Sequence, residues 1–140
     1  MSNNNTISNK KAFFDYEILE KFEAGMILSG AEVKAIRAGK ANLKGSYVAI
    51  LSDGPYVFEL HISEYDKRSD KVIYNPIQKR KLLLNKKEIE TLVKIEKTSG
   101  LTIVPTKIYF KRGLIKLEIA VGKGKKNYDK RNALKQKSQQ

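Results

Sequence analysis

With 140 residues, 41% of them hydrophobic, the chain has material for one core, and a domain of this size folds without covalent staples. It contains no cysteine, which excludes disulfides, thiolate nucleophiles and sulfur-bound zinc and fits a reducing compartment. The 28 Lys and Arg against 15 Asp and Glu leave a formal charge of +13, which predicts polyanionic partners without bearing on fold.

The opening segment, MSNNNTISNK, lacks the apolar stretch of a signal peptide, and no window holds the roughly 18 apolar residues of a membrane span. The expected setting is therefore the cytoplasm, with no membrane contact. AFFDYEILEKF (residues 12–22) alternates as a strand does, Phe14, Tyr16 and Ile18 on one face and Asp15 and Glu17 on the other. SGAEVKAIRAGK (29–40) predicts a short helix: Ser29 and Glu32 have capping-box spacing, Val33 and Ile36 share a face, and Gly39 is a stop. SYVAILSDGPYVFELHIS (46–63) predicts two strands around Asp53-Gly54, with Pro55 suggesting a connection looser than two residues. EYDKRSDKVIYNPIQKR (64–80) has no sustained period and predicts an exposed loop. LNKKEIETLVKIEKTSG (84–100) predicts a second helix, capped by Asn85 with Glu88 at the box position and ended at Gly100. LTIVPTKIYFKRGLIKLEIAVG (101–122) predicts two more strands joined near Arg112-Gly113.

Five or so strands with two short helices, and no strand-helix-strand rhythm, predict an all-β antiparallel fold. A small antiparallel sheet loses its edges most simply by closing, so the expectation is an OB-like closed barrel flanked by two or three helices. The charge is segregated. Residues 123–140 hold seven basic groups (Lys123, Lys125, Lys126, Lys130, Arg131, Lys135, Lys137) and a single acid, Asp129, with too few apolar groups to fold alone. The organisation expected is a flexible N-terminus over 1–8, a barrel over 9–126, and a basic disordered tail over 127–140.

Catalysis finds little support in these residues. The only histidine, His61, sits in a strand pattern and reads as structural, so no nucleophile-base pair can be assembled. No acidic motif converges on Asp15 and Glu17 as a two-metal site requires, so neither metal nor cofactor is expected. GKGKK (122–126) lacks the spacing of a phosphate loop and is followed by no helix pattern; glycines beside lysines suit a nucleic-acid backbone better. Tyr128 has no core near it and offers a ring for stacking.

Three ordered motifs carry a resemblance. NKKAFFDYEILEKFEAGMILSGAEVKAIRAGKANL, KRKLLLNKKEIETL and IAVGKGKKNYDKR, spanning about Asn9 to Arg131, are similar to the SsrA-binding protein (SmpB) family, the protein partners of transfer-messenger RNA in bacterial ribosome rescue. The resemblance implies an RNA-binding adaptor, monomeric when free. It would grip the tRNA-like domain of transfer-messenger RNA and reach the small-subunit decoding region and ribosomal RNA, with elongation factor Tu engaged indirectly through the RNA. The protein would stand in for an absent anticodon arm.

Mapped onto this chain, the implied RNA face comprises Asn9, Lys10, Lys11, Glu32, Lys34, Arg37, Lys40, Lys79, Arg80, Lys81, Leu84, Asn85, Lys123, Gly124, Lys125 and Lys126. The implied ribosome contacts are Tyr128, Asp129, Lys130, Arg131 and Lys135. Glu32 has two readings, helix cap and RNA contact, and they can coexist. Of Leu82-Leu83-Leu84, core packing is the first reading and one exposed leucine the second. Family tails usually run on beyond the NALKQKSQQ seen here, so either a short natural tail or a truncated one is expected. A ribosomal or initiation-factor-like OB module, and a small nuclease, are the alternative readings of the same charge.

Overall fold

A computed structural model describes residues 6–65 and 73–125. The chain enters through β1 (Ile7–Ser8), turns through α1 (Lys10–Asp15) and runs into the long strand β2 (Tyr16–Met26). Next come α2 (Gly30–Arg37), β3 (Ala41–Asn42), the hairpin β4 (Tyr47–Leu51) and β5 (Gly54–Phe58), and β6 (His61–Ile62). Then β7 (Arg80–Leu83) and α3 (Lys86–Glu96) lead to a long hairpin, β8 (Leu101–Lys111) and β9 (Leu114–Gly124).

Seven strands form one antiparallel sheet in the order β1-β8-β9-β2-β7-β5-β4, while β3 and β6 pair separately. The mostly-β antiparallel class holds, but the barrel does not close. Although β4 comes beside β8, no ladder joins them among the described residues. Two substitutes occupy that seam. Ile50 of β4 donates its N–H to the Glu96 carboxylate of α3 at 2.9 Å, and β8 gives its outer edge to β1 at Ile7↔Ile108 and Ser8↔Lys107. With α3 packed against both strands, the edges are covered without strand pairing, a common solution to edge exposure. The core runs inside this curl, from Ile36, Leu43 and Leu60 through Leu82 and Leu92 to Ile108, Leu117 and Ile119.

Several local expectations change. The segment AFFD, read as strand, belongs to α1, because Asn9 caps it by accepting from the Ala12 N–H at 3.2 Å and the Asn9 N–H donates to the Thr106 carbonyl at 2.8 Å. Ile7 and Ser8, counted with the flexible N-terminus, form β1. The β4–β5 connection is a tight one, since Leu51 pairs with Gly54 and only Ser52-Asp53 lie between. Pro55 is tolerated opposite Ile50, because the Ile50 N–H points away to Glu96 and this pair needs no donor from proline. The β8–β9 turn falls at Arg112-Gly113 as expected, with φ of 52° and 77°, the left-handed pair of a two-residue hairpin. Both capping boxes are present, Ser29 with Glu32 and Asn85 with Glu88.

Candidate nucleic-acid interface

The N-terminal and C-terminal basic motifs meet because β2 and β9 pair along their length, Tyr16 opposite Gly124 and Glu17 opposite Lys123. Gly122 makes the close approach possible: a Cβ there would lie 2.9 Å from the Cβ of Tyr16. Beyond β9, the Lys125 N–H donates to the Asp15 carbonyl at 2.9 Å and its Nζ to the Phe13 carbonyl at 3.0 Å. The end of β9, with exposed Lys123, therefore lies against the helix whose first turn carries the exposed Lys10 and Lys11. Lys11 also pairs with Asp15 at 3.1 Å, an exposed contact that phosphate can displace at little cost.

From α1 the cationic surface continues toward α2. The Asn9 amide donates to the Pro105 carbonyl at 2.8 Å and the Leu43 carbonyl at 3.3 Å, tying α1 to the loop after β3. A shallow depression there is lined by Ser8, Lys10, Lys11, Asn42 and Lys44. Helix α2, joined to β3 through residues 38–40, carries the exposed Lys34 and Arg37, and Lys40 is exposed in the connection. Lys44, exposed at the turn before β4, was missed from the sequence because it lies in no motif; only the fold sets it beside Lys10 and Lys11.

The other expected RNA contacts divide by burial. Asn9 is 5% exposed, Glu32 4% and Arg80 3%, so in the free protein these three lie beneath the surface and hold their neighbours in place. Arg80 donates through Nε to Glu32 Oε2 at 2.7 Å, through Nη1 to the Leu60 carbonyl at 2.5 Å, and through Nη2 to Tyr74 Oη at 2.9 Å and the Pro76 carbonyl at 3.0 Å. Four of the five N–H donors of that guanidinium are thus spent inside the protein. Glu32 takes the Ser29 N–H on Oε1 at 3.0 Å, and on Oε2 also the Gln78 amide at 3.2 Å. The Tyr74 hydroxyl has Glu32 Oε2 at 3.2 Å and the Ile62 carbonyl at 2.8 Å as acceptors for its one proton. Burial pushes the Glu32 carboxyl up, but the Ser29 N–H, Arg80 and Gln78 outweigh it and hold the group below its ordinary value. The buried network fastens residues 74–80 to α2. Tyr74 and Gln78 were not anticipated, since a loop without periodicity hides its anchors.

Asn85 caps α3, accepting from the Glu88 N–H at 2.8 Å, and Leu84 packs half-buried against the core. The exposed leucine of the triplet is Leu83, 54% exposed, and not Leu84. Lys79 and Lys81 face Tyr56, with Nζ 5.0 and 6.0 Å from the ring centre. Gly124 is exposed at the end of β9. Lys126, Tyr128, Asp129, Lys130, Arg131 and Lys135 lie outside the described residues. His61 is exposed in β6, paired with Asn42. Among the described residues no group of three acidic or histidine side chains could hold a metal, and no helix is long and apolar enough to cross a membrane.

Exposed cations on α1, α2 and the end of β9, around an antiparallel sheet with a buried Glu32–Arg80 pair, characterise a polyanion-binding module. The SmpB protein family model matches residues 6–140, and the chain belongs to that family of non-catalytic RNA-binding proteins. It is 52% identical over 123 residues to an SsrA-binding protein of Desulfitobacterium hafniense (strain DSM 10664 / DCB-2), covering 88% of this chain and 78% of that one. Against an SsrA-binding protein of Sulfurihydrogenibium sp. (strain YO3AOP1) it is 50% identical over 137 residues, 98% and 90% of the two chains. A solved structure described as "tmRNA-SmpB: a journey to the center of the bacterial ribosome" superposes with a TM-score of 0.72 at 41% identity, covering 92% of this chain and 94% of the other.

Proposed function

We propose that this protein binds the tRNA-like domain of transfer-messenger RNA and carries it to stalled ribosomes for trans-translation, standing in for the anticodon arm that this RNA lacks. The observation that carries the reading is the junction of α1 with the end of β9, where two basic motifs separated by most of the sequence are joined by the Lys125 bonds to Asp15 and Phe13. Phosphates bind such a strip through Lys10, Lys11, Lys44, Lys123 and Lys125, while Lys34, Arg37 and Lys40 extend it along α2. The shape of a folded RNA and its 2′-hydroxyls supply selectivity over plain duplex.

In this reading Lys126 joins the RNA face, and Tyr128, Asp129, Lys130, Arg131 and Lys135 serve the ribosome, with elongation factor Tu present through the RNA. The test is a gel shift of transfer-messenger RNA against tRNA and a stem-loop of equal mass, together with peptide tagging on stalled ribosomes. Joint replacement of Lys10, Lys11 and Lys44 by Ala is expected to weaken the shift at unchanged melting temperature. Deleting residues 132–140 is expected to leave the shift intact and reduce tagging. Equal shifts for all three RNAs would remove the assignment and leave a general RNA binder.

A further inference from the structure

The outer face of the β4–β5–β7 sheet carries three aromatic rings that the core does not use. Tyr47 and Phe58 are cross-strand partners, their rings 5.3 Å apart and 11° from parallel. Tyr56 stands 6.5 Å from Phe58, tilted by 50°. Tyr47 is 44% exposed, and Phe58 and Tyr56 are half-buried. One end of the row is cationic: Lys81 lies opposite Tyr56 in the ladder, and Lys79 reaches over the same ring. The Tyr56 hydroxyl donates to Asp53 at 2.6 Å, and Lys81 Nζ lies 4.0 Å from the same carboxylate, so the single acid at that end is already engaged. At the other end Tyr47, with Lys11, Tyr16 and Ser46, lines the groove beside α1.

We propose that this face is a stacking platform for unpaired nucleotides of the same RNA that lies in the α1 groove, the bases resting on Tyr47 and Phe58 and the backbone running toward Lys79 and Lys81. The inference rests on the nucleic-acid reading above and extends it to a second, base-contacting surface. Two features of the structure select that occupant. The Tyr47 and Phe58 rings stack on one another, so a base of any identity can extend that stack at the exposed Tyr47, and ammonium groups at the end of the row match the phosphates of the strand. Tyr47 belongs both to the groove and to the ring row, and the acid of the groove lining, Asp15, is paired with Lys11 at 3.1 Å, so a strand can pass from the groove to the rings.

The experiment uses the full chain and a short oligouridine carrying one 2-aminopurine, whose fluorescence is quenched on stacking. The intact protein is expected to bind this probe with quenching. Tyr47→Leu combined with Phe58→Leu, which retains apolar volume on the hairpin, should abolish the quenching. It should also weaken oligouridine binding about fivefold or more per ring removed. Affinity for a blunt duplex should stay unchanged. Tyr47→Trp should keep both the quenching and the affinity, a rescue that a merely structural pair does not demand. Unchanged oligouridine binding in the Leu variant, with a lowered melting temperature, would overturn the proposal and leave the pair as hairpin stabilisation. So would self-association of the parent that the Leu variant loses while RNA binding persists, since a second copy would then occupy the face. Failure of the transfer-messenger RNA assignment is read separately: there the gel shifts lose selectivity while the oligouridine signal remains.

Discussion

Glu32 and Arg80 stabilise the protein only as a pair, because each lies inside the molecule with the other as its counter-charge. Removing one partner strands a buried charge, so Glu32→Ala should cost about 3–5 kcal/mol in denaturant unfolding, whereas replacing both by apolar residues of similar volume should cost far less. Any loss of RNA affinity in Glu32→Ala should follow the displacement of residues 74–80, and protease cutting in that segment should rise in parallel. The folded carboxyl titrates below its ordinary value of 4.5. Its stabilisation is therefore complete above that value and lost as pH falls through the folded one. Melting temperatures of parent and Glu32→Gln should converge on acidification below pH 4.5; a constant gap down to acid would contradict the pairing. Gly122 has a different constraint. Its Cβ would meet the Tyr16 Cβ at 2.9 Å, and that atom cannot swing away, so Gly122→Ala should destabilise by about 1–3 kcal/mol and loosen the α1–β9 junction with it.

At the level of elements, α3 offers a clean separation of scaffold from interface. Asn85 serves as N-cap, so Asn85→Ala should cost about 1 kcal/mol and leave RNA affinity unchanged once the protein is folded. A large loss of affinity at constant stability would return Asn85 to the RNA face. Both α2 and α3 were legible in the sequence because their signals are local: a cap, a box acid three residues on, an apolar stripe and a terminal glycine. Helix α1 was not. It is too short for a stripe, it places Lys10 and Lys11 in the first turn where the helix dipole disfavours cations, and its cap is held by β8 through Thr106 and Pro105. The open seam between β4 and β8 was equally hidden, since it depends on where the Glu96 side chain arrives.

For the whole molecule, the basic strip should dominate the salt dependence of RNA binding. With about five phosphates neutralised, the log-log slope should be on the order of −4, and removing Lys10, Lys11 and Lys44 should flatten it by two to three. A slope near zero would mean that the lysines serve only solubility. The residue types of this surface were readable from charge segregation and from the NKKA and GKGKK motifs. Its arrangement was not: Asn9, Glu32 and Arg80 are buried in the fold, Lys44 comes beside Lys10 and Lys11, and Tyr47 stacks on Phe58, none of which linear spacing encodes.

The position of β9 has a kinetic consequence during synthesis. It is the last of the described strands, yet it lies between β8 and β2 near the middle of the sheet, so Tyr16–Met26 leaves the ribosome long before the partner that completes its ladder. Pairing of such sequence separation forms late and slowly. A nascent chain broken off before Leu114 therefore has β2 and β8 but nothing to bridge them, and presents apolar strand edges to degradation in place of a partly working RNA surface.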